Sequence, residues 1–280
     1  MIFDFDGKLQ VGGNSSYHLT SFDGLTAPDI RTASNNYSGL DGGYVSAQLF
    51  GMRDITIDGF YIGKTCADAQ DLRIGLMNNL GIRYLFPIRI TTFDDRHYYC
   101  EGYITDVKSN PDTMRSGEFE ISILCPDPLI YDGGDGQTSD SAWMEQLVHK
   151  EIPGGFIIPY EVPVQWSAGQ PSTLVNNMGT SEAFPIFTLR GVYHNPMIYN
   201  ITTNKWIKLV YNNPVSSDVI EIDMKERVIT RNGVSIMANR TVDSSWFTLQ
   251  PGSNKLVLIT DEADDADYVA MKWKNGFMGI

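Results

Sequence analysis

Cysteine is scarce in this 280-residue sequence, which contains only Cys66, Cys100 and Cys125. No two of them have the spacing of a metal-binding or redox-active pair, which excludes a disulfide scaffold and a local thiolate metal site. Cys100 and Cys125 lie in apolar, strand-like runs. We therefore interpret both as small buried side chains of a protein made in a reducing cytoplasm.

Long apolar stretches are also missing. Residues 1–6 include no basic side chain and do not begin an apolar run of signal-peptide length. No segment approaches the roughly 20 apolar residues that are needed to span a bilayer. We expect a soluble protein that is not exported through a cleaved signal.

Positive charge is in deficit, because 21 lysines and arginines stand against 34 acidic residues, for a net charge of −13. A surface of this sign repels a phosphate backbone, which argues against a nucleic-acid-binding function. Clusters of four or more basic residues, which dock proteins on anionic lipid, are missing too. We expect no membrane partner.

Catalytic motifs are absent: there is no Gly-x-Ser-x-Gly, no Gly-x-x-x-x-Gly-Lys and no His-Glu-x-x-His. The four histidines, His18, His97, His149 and His194, are too far apart in sequence to form a local metal pair. The sequence therefore predicts a non-enzymatic protein with no catalytic, cofactor-binding or metal-ligating residue. A pair of acids distant in sequence, as glycoside hydrolysis requires, stays open as an alternative.

Two patterns invite a binding function. The acidic run 261–267 could bind calcium, but its sixth position is Ala266 and its twelfth Lys272, where an EF-hand has Gly and Glu. We interpret it as a solvated turn. Trp166, Trp206 and Trp246 could line a sugar platform, but each lies in a strand-like run, which favours core packing.

The residues that are plentiful indicate a mainly β fold. The sequence is 42% hydrophobic and 20% charged, with 26 glycines, 14 tyrosines, 13 phenylalanines and 5 tryptophans. Alternating polar and apolar residues over 44–50 and 53–62 predict half-buried strands. The spacing of Ala69, Leu72, Leu76, Met77 and Leu80 predicts a helix over 66–80, with Thr65 as N-cap, Asp68 completing a capping box and Gly81 as stop.

Three more strands follow at 84–92, 97–106 and 117–125, with a turn at Asp94 and Asp95 and a loop at 109–112. The prolines of 126–128 then end the pairing. Residues 1–131 are therefore predicted to form an antiparallel β-sheet domain with one α-helix. The small polar residues of 132–142 indicate a linker, which we extend to 132–150.

Short strands separated by turn signals fill the rest, 151–280, which predicts a β-sandwich. Asn232-Gly233 is a strong signal for a type I′ hairpin. The predicted strands are 156–160, 162–167, 184–191, 196–201, 206–211, 218–223, 227–231, 235–238, 245–249, 255–260 and 268–274.

Several segments, in order and spacing, resemble the distal tail protein (Dit-like) family of long, flexible-tailed phages and prophages. The most telling is 246–254, where a strand ends in Leu-x-Pro-Gly-x-Asn. The others are 39–43, 53–59, the helix that follows, 125–128, 183–186, 200–203, 219–223 and 232–233.

The resemblance implies a virion structural protein of the phage tail tip, synthesised in the host bacterial cytoplasm. The N-terminal domain would form a hexameric ring, and the C-terminal domain would be a galectin-like sandwich outside it. Implied partners are the tail tube protein, a baseplate hub or tail-associated lysin, and in some relatives a receptor-binding protein. Genomic DNA would only pass through the ring.

The charge adds a hypothesis about the ring. Acidic side chains on a channel wall would repel the genome and let it slide. Candidate channel-wall or ring-interface residues are Asp94, Asp95, Glu118 and Glu120. Two alternatives remain: a carbohydrate- or receptor-binding tail-tip protein, and a cell-wall-degrading enzyme.

Overall fold

The computed structural model of the chain describes residues 1–81, 83–133, 140–144, 172–261 and 268–280. The chain divides into two units. Unit 1 comprises Met1–Gln137 and Gly276–Ile280, and unit 2 comprises Thr138–Asn275. Unit 2 is thus an insertion in the sequence of unit 1.

Unit 1 contains ten strands before the insertion and one α-helix. Their order along the chain is β1 (Ile2–Phe5), β2 (Leu9–Gly12), β3 (Tyr17–Asp23), β4 (Ile30–Asn36), β5 (Gly43–Phe50), β6 (Arg53–Ile62), α1 (Cys66–Asn79), β7 (Leu85–Thr91), β8 (His97–Pro111), β9 (Ser116–Cys125) and β10 (Ile130–Asp132).

Seven of these strands close into a barrel. The order β8-β7-β1-β2-β3-β6-β9 returns to its start because β9 also pairs with β8. All neighbours are antiparallel except β2 and β3, which meet in parallel at Val11 and Tyr17. Buried residues alternate strictly with half-buried or exposed ones along β6, where Ile55, Ile57 and Tyr61 join the core of unit 1.

Helix α1 begins with the capping box that the sequence predicts. The Thr65 hydroxyl accepts a hydrogen bond from the Asp68 N–H, and the Asp68 carboxylate accepts one from the Thr65 N–H, both at 3.1 Å. Leu76 is buried against the core of unit 1. Met77 was expected on the same face but is exposed, because it lies about 100° further around the helix than Leu76.

Unit 2 contains two main sheets. The strands are β11 (Asp140–Met144), β12 (Thr173–Asn177), β13 (Ile186–Arg190), β14 (Met197–Asn200), β15 (Lys205–Lys208), β16 (Val219–Asp223), β17 (Val228–Arg231), β18 (Val234–Ser235), β19 (Gly252–Ile259) and β20 (Tyr268–Trp273). One sheet has the order β11-β20-β13-β16-β17-β18 and the other β12-β19-β14-β15. Residues from both sheets form one hydrophobic core, as in a sandwich.

After β20 the chain returns to unit 1. The last strand, β21 (Gly276–Phe277), pairs antiparallel with β10 at the edge of the barrel sheet. The predicted linker 132–150 includes the end of β10 and all of β11, and its segments 134–139 and 145–150 lie outside the described residues.

The mainly β fold with one N-terminal helix and a C-terminal sandwich is confirmed. Asn232 and Gly233 both have positive φ, of 50° and 80°, and join β17 to β18 as a type I′ turn does. The predicted loop at 109–112 is wrong, because β8 continues to Pro111 by pairing with β9. The predicted strand 245–249 is wrong as well, since only Leu249 forms a bridge, to Ala183.

The segment 235–238 is divided between β18 and a 3₁₀ turn at Met237–Asn239. The predicted strands 156–160 and 162–167 lie outside the described residues, as do His149, Trp166 and all of the acidic run 261–267 except Asp261. Cys100 and Cys125 are buried, as expected, and Cys66 is exposed.

Candidate interaction surfaces

The most exposed element of unit 1 is a two-stranded ribbon that we call the arm, residues 30–50. Strands β4 and β5 pair only with each other among the described residues, and nearly every residue of the arm is exposed. The sequence predicts a half-buried strand at 44–50, and this is wrong for the isolated chain. The pattern of alternation is present, but neither face of the ribbon is covered.

The arm is exposed although it carries large apolar side chains. Leu40 at its turn is 76% exposed, and Tyr44 and Leu49 are 51% and 62% exposed. The Tyr37 and Tyr44 rings contact each other near the turn, with centroids 5.9 Å apart. An isolated two-stranded ribbon is only marginally stable in water. Exposed apolar residues on such a ribbon are typical of a surface that a partner covers.

The arm is also electrically neutral. Arg31 and Asp41 are its only charged residues, in a chain whose net charge is −13. A second copy of the chain can therefore approach the arm without the repulsion that it meets at acidic surfaces.

Glu118 and Glu120 lie together on a second surface, the outer face of β6, β9 and β8, which we call the acidic face. They line an open cavity of about 610 Å³. Glu120 is directly opposite Asp58 on β6 and Lys108 on β8. The Lys108 ammonium group lies 2.9 Å from the Glu120 carboxylate and 3.4 Å from that of Asp106. The hydrogen bond to Glu120 is the main cause that raises the pKa of Lys108.

Asp94 and Asp95 lie elsewhere, in the turn between β7 and β8. The Asp94 carboxylate accepts a hydrogen bond from the Thr92 hydroxyl, which lowers its pKa, and lies 2.9 Å from Arg96. Next to it Phe93 is 82% exposed. His97, where β8 begins, and Lys108, beside Glu120, are eleven positions apart, which corresponds to roughly 36 Å along an extended strand. The structure therefore does not bring the two acidic pairs together.

Helix α1 presents a third apolar surface. Ile74 and Met77 lie one turn apart on its outer side and are both exposed, as is Tyr84 just beyond the helix. Sequence periodicity identified the buried side of this helix but wrongly assigned Met77 to it. Periodicity did not show that the outer side is apolar too, because a single isoleucine at 74 does not form a recurring pattern.

The buried polar groups of unit 2 form structural networks. Asp218 accepts hydrogen bonds from the Tyr211 hydroxyl, the Val215 N–H and the Arg231 guanidinium. Burial acts to raise the pKa of Asp218, but these hydrogen bonds outweigh it, so that the pKa is lowered overall. Trp246 packs against the core of unit 2, and the Arg240 guanidinium lies 5.7 Å from its ring centre.

Among the described residues no group of three or more His, Cys, Asp or Glu side chains could hold a metal ion. Helix α1, the only α-helix described, is neither long nor apolar enough to cross a membrane.

Residues 178–277 match a family model described as the siphovirus-type tail component, C-terminal domain. The resemblance to distal tail proteins is confirmed. No curated protein sequence matches the chain. Among solved structures, the chain is similar to the Dit (gp 19.1) protein of SPP1, described as a paradigm of the hub adsorption apparatus in phages that infect Gram-positive bacteria.

The SPP1 Dit match covers 99% of this chain and 98% of that protein, with a TM-score of 0.69 and 16% sequence identity. At this identity the likeness is one of fold, and it extends over both units. Chains of the phage P2 baseplate, in its activated conformation with Ca and with Sr, also match. They cover 95% of this chain and 93% of theirs, at 11% identity and TM-scores of 0.45 and 0.44.

Proposed function

We propose that this chain is a structural hub protein at the tail tip of a long-tailed phage, where six copies form a ring between the tail tube and the host-adsorption apparatus. The family model of the C-terminal unit and the Dit-like fold of the whole chain support a tail component. The number of six rests on the resemblance to distal tail proteins. Such a role depends on contact surfaces and needs no catalytic group. The exposed arm and the acidic face are surfaces of this kind.

The observation that carries the proposal is the exposed arm. Its apolar side chains and its two unpaired edges call for a protein partner. A neighbouring copy is the partner that the neutral charge of the arm favours. In a cyclic ring the two contacting surfaces of a subunit differ, so the arm of one copy meets another part of the next copy.

The opening of the ring would let the genome pass. We propose that Asp94, Asp95, Glu118 and Glu120 contribute to the channel wall or to contacts between copies. Because the two pairs lie at opposite ends of β8, they can line the same channel only if β8 runs along its wall. Carboxylates there repel DNA phosphates, so the genome slides without binding.

The remaining partners follow from the same position in the virion. One side of the ring would contact the tail tube protein, and the other the baseplate hub or tail-associated lysin. Receptor-binding proteins would attach at the periphery. The chain would be made in the host cytoplasm and function in the assembled tail.

Light scattering and negative-stain electron microscopy of the purified chain at high concentration test the proposal. We expect a mass of six copies and a six-fold ring with an open centre. The same measurements on the chain mixed with its tail tube protein extend the test to assembly on a partner. A chain that stays monomeric both alone and with tail tube protein would contradict the ring.

A further inference from the structure

Five residues that follow unit 2 in the sequence, Gly276–Ile280, complete the fold of unit 1. Phe277 pairs with Ile130 as part of β21, and its ring packs edge-on against Tyr98, with centroids 5.7 Å apart. At the end of the segment, the Ile280 N–H donates to the Leu25 carbonyl at 3.0 Å. We call these five residues the strap.

The strap also supplies an acceptor to a buried arginine. Arg53, the first residue of β6, is only 1% exposed. Its guanidinium donates four hydrogen bonds of 2.5–2.7 Å, all to backbone carbonyls. The acceptors are Gly24, Thr26, Pro128 and, 225 residues along the chain, Met278.

A buried guanidinium depends on having these acceptors. Leaving a charged N–H without a partner inside a protein costs far more than an ordinary hydrogen bond contributes. Burial lowers the pKa of Arg53, in agreement with a desolvated cation. Three acceptors come from segments close to Arg53 in unit 1, whereas the fourth becomes available only when the strap has docked.

We propose that the strap closes unit 1, with Arg53 as the positioning residue that couples strap docking to the stability of the barrel. A chain that has been synthesised only as far as unit 2 lacks β21 and the Met278 acceptor of Arg53. Chains that lack the strap are thereby kept out of the ring. This last step rests on the proposed ring function.

The chain provides separate reporters for its two units. All five tryptophans, residues 143, 166, 206, 246 and 273, belong to unit 2, and all three cysteines belong to unit 1. Cys100 and Cys125 are buried in the barrel core, and Cys125 is directly opposite Arg53 on β9. Cys66 is exposed and serves as an internal control.

The first test compares the full chain with a chain that ends at Asn275. We expect the thiols of Cys100 and Cys125 to be alkylated at least about tenfold faster in the shorter chain, because barrel opening becomes more frequent. Cys66 should react at the same rate in both, and the tryptophan-detected unfolding midpoint should not change. Equal protection of Cys100 and Cys125 in the two chains would overturn the proposal.

A full-length variant covers the case in which the shorter chain does not fold. A methyl group on Gly279 would lie 3.0 Å from the Thr26 carbonyl carbon and 3.1 Å from the Leu25 oxygen. Gly279→Ala therefore requires a shift of a few tenths of an ångström between the strap and residues 25–27, which should weaken strap docking and accelerate alkylation of Cys100 and Cys125. Met114→Ala, at an exposed turn of the same unit, is the control that should leave the rate unchanged. Unchanged alkylation in Gly279→Ala would count against the strap.

The role of Arg53 is tested by combining Arg53→Met with Gly279→Ala. If the strap acts through Arg53, the two substitutions together should accelerate alkylation by less than the product of their separate effects. A fully multiplicative effect would remove Arg53 from the proposal. Hydrogen exchange of β7 gives a second readout that is independent of thiol chemistry. All these measurements use dilute monomer, so their outcomes do not depend on whether the chain forms a ring.

Discussion

Asp218 accepts a hydrogen bond from the Arg231 guanidinium, with 2.9 Å between Oδ1 and Nε, while only 2% of the aspartate side chain is exposed. Its second oxygen accepts from the Tyr211 hydroxyl and from the Val215 N–H. This carboxylate therefore joins β16 and β17 to the segment that follows β15.

Asp218→Asn should destabilise unit 2 by about 2–3 kcal/mol, because the amide lacks the charge and turns a donor toward groups that are donors themselves. Urea unfolding followed by tryptophan fluorescence measures the loss. Glu221→Gln, at an exposed position of β16, is the matched control and should change the free energy of unfolding by less than about 0.5 kcal/mol. Equal effects of the two substitutions would show that the network contributes nothing.

The same carboxylate makes unit 2 sensitive to acid. The pKa of Asp218 is lower in the folded protein than in the unfolded chain, so its contribution to stability is complete above about pH 4 and is lost as the pH falls through the folded value. We expect the tryptophan-detected unfolding free energy to fall below about pH 4, and to fall less steeply in Asp218→Asn. Parallel pH profiles of the two proteins would contradict this.

Thr65→Ala should destabilise unit 1 by about 1 kcal/mol, because the Asp68 N–H loses the acceptor that caps helix α1. Alkylation of Cys100 and Cys125 reports the change. Thr65→Ser keeps the hydroxyl and should retain most of the protection. Comparable rates for alanine and serine would mean that the cap does not limit barrel opening.

Charge placed on the arm should prevent ring formation without unfolding the subunit. Leu40 and Val45 are exposed in the isolated chain, so Leu40→Glu with Val45→Glu should change its stability by less than about 0.5 kcal/mol. We expect light scattering to show monomer where the unmodified chain forms the ring. Val234→Glu with Val242→Glu, on exposed residues of unit 2, adds the same charge and should leave the ring intact. Rings formed by the arm variant would rule out the arm as the contact.

Lys108→Met should lower the unfolding midpoint of unit 1 at neutral pH and low salt. Asp58 and Glu120 are directly opposite each other on neighbouring strands, where like charges destabilise a sheet. The positive charge of Lys108 offsets their negative charge and that of the nearby Asp106. High salt should reduce the difference from the unmodified protein, since it screens exposed charges. Lys8→Met, which leaves one exposed carboxylate partner in Asp6 and removes a contact with the Phe86 ring, should show a smaller salt dependence.

Much of the fold could be predicted from local patterns. The capping box at Thr65 and the turn at Asn232-Gly233 depend on neighbouring residues only, and both are present. The segments 44–50 and 53–62 show why the remainder was harder. Both alternate with a period of two, yet one is an uncovered ribbon and the other a barrel strand. Alternation reveals that the two faces of a strand differ, but not whether another element of the same chain covers one of them.

The candidate surfaces show the same limit. Glu118 and Glu120 lie on the same face of β9, as the alternation along 117–125 predicts. Asp94 and Asp95 could not be placed relative to them without the length of β8. The burial of Arg53 could be predicted from the sequence, since in the alternating pattern of β6 it lies on the same face as Ile55 and Ile57. The hydrogen bond from Arg53 to the Met278 carbonyl could not be predicted, because a contact between residues 225 positions apart leaves no local sequence pattern.

The pairing of β10 with β21 has an evolutionary consequence. Tyr131 and Gly276 are directly opposite each other, so the last strand of unit 1 before the insertion and the strand that follows the insertion lie about 5 Å apart at this pair. Any domain whose own ends lie that close together can occupy this position without altering the barrel. The inserted domain can therefore be replaced as a unit, while the sequence and the surfaces of the barrel stay unchanged.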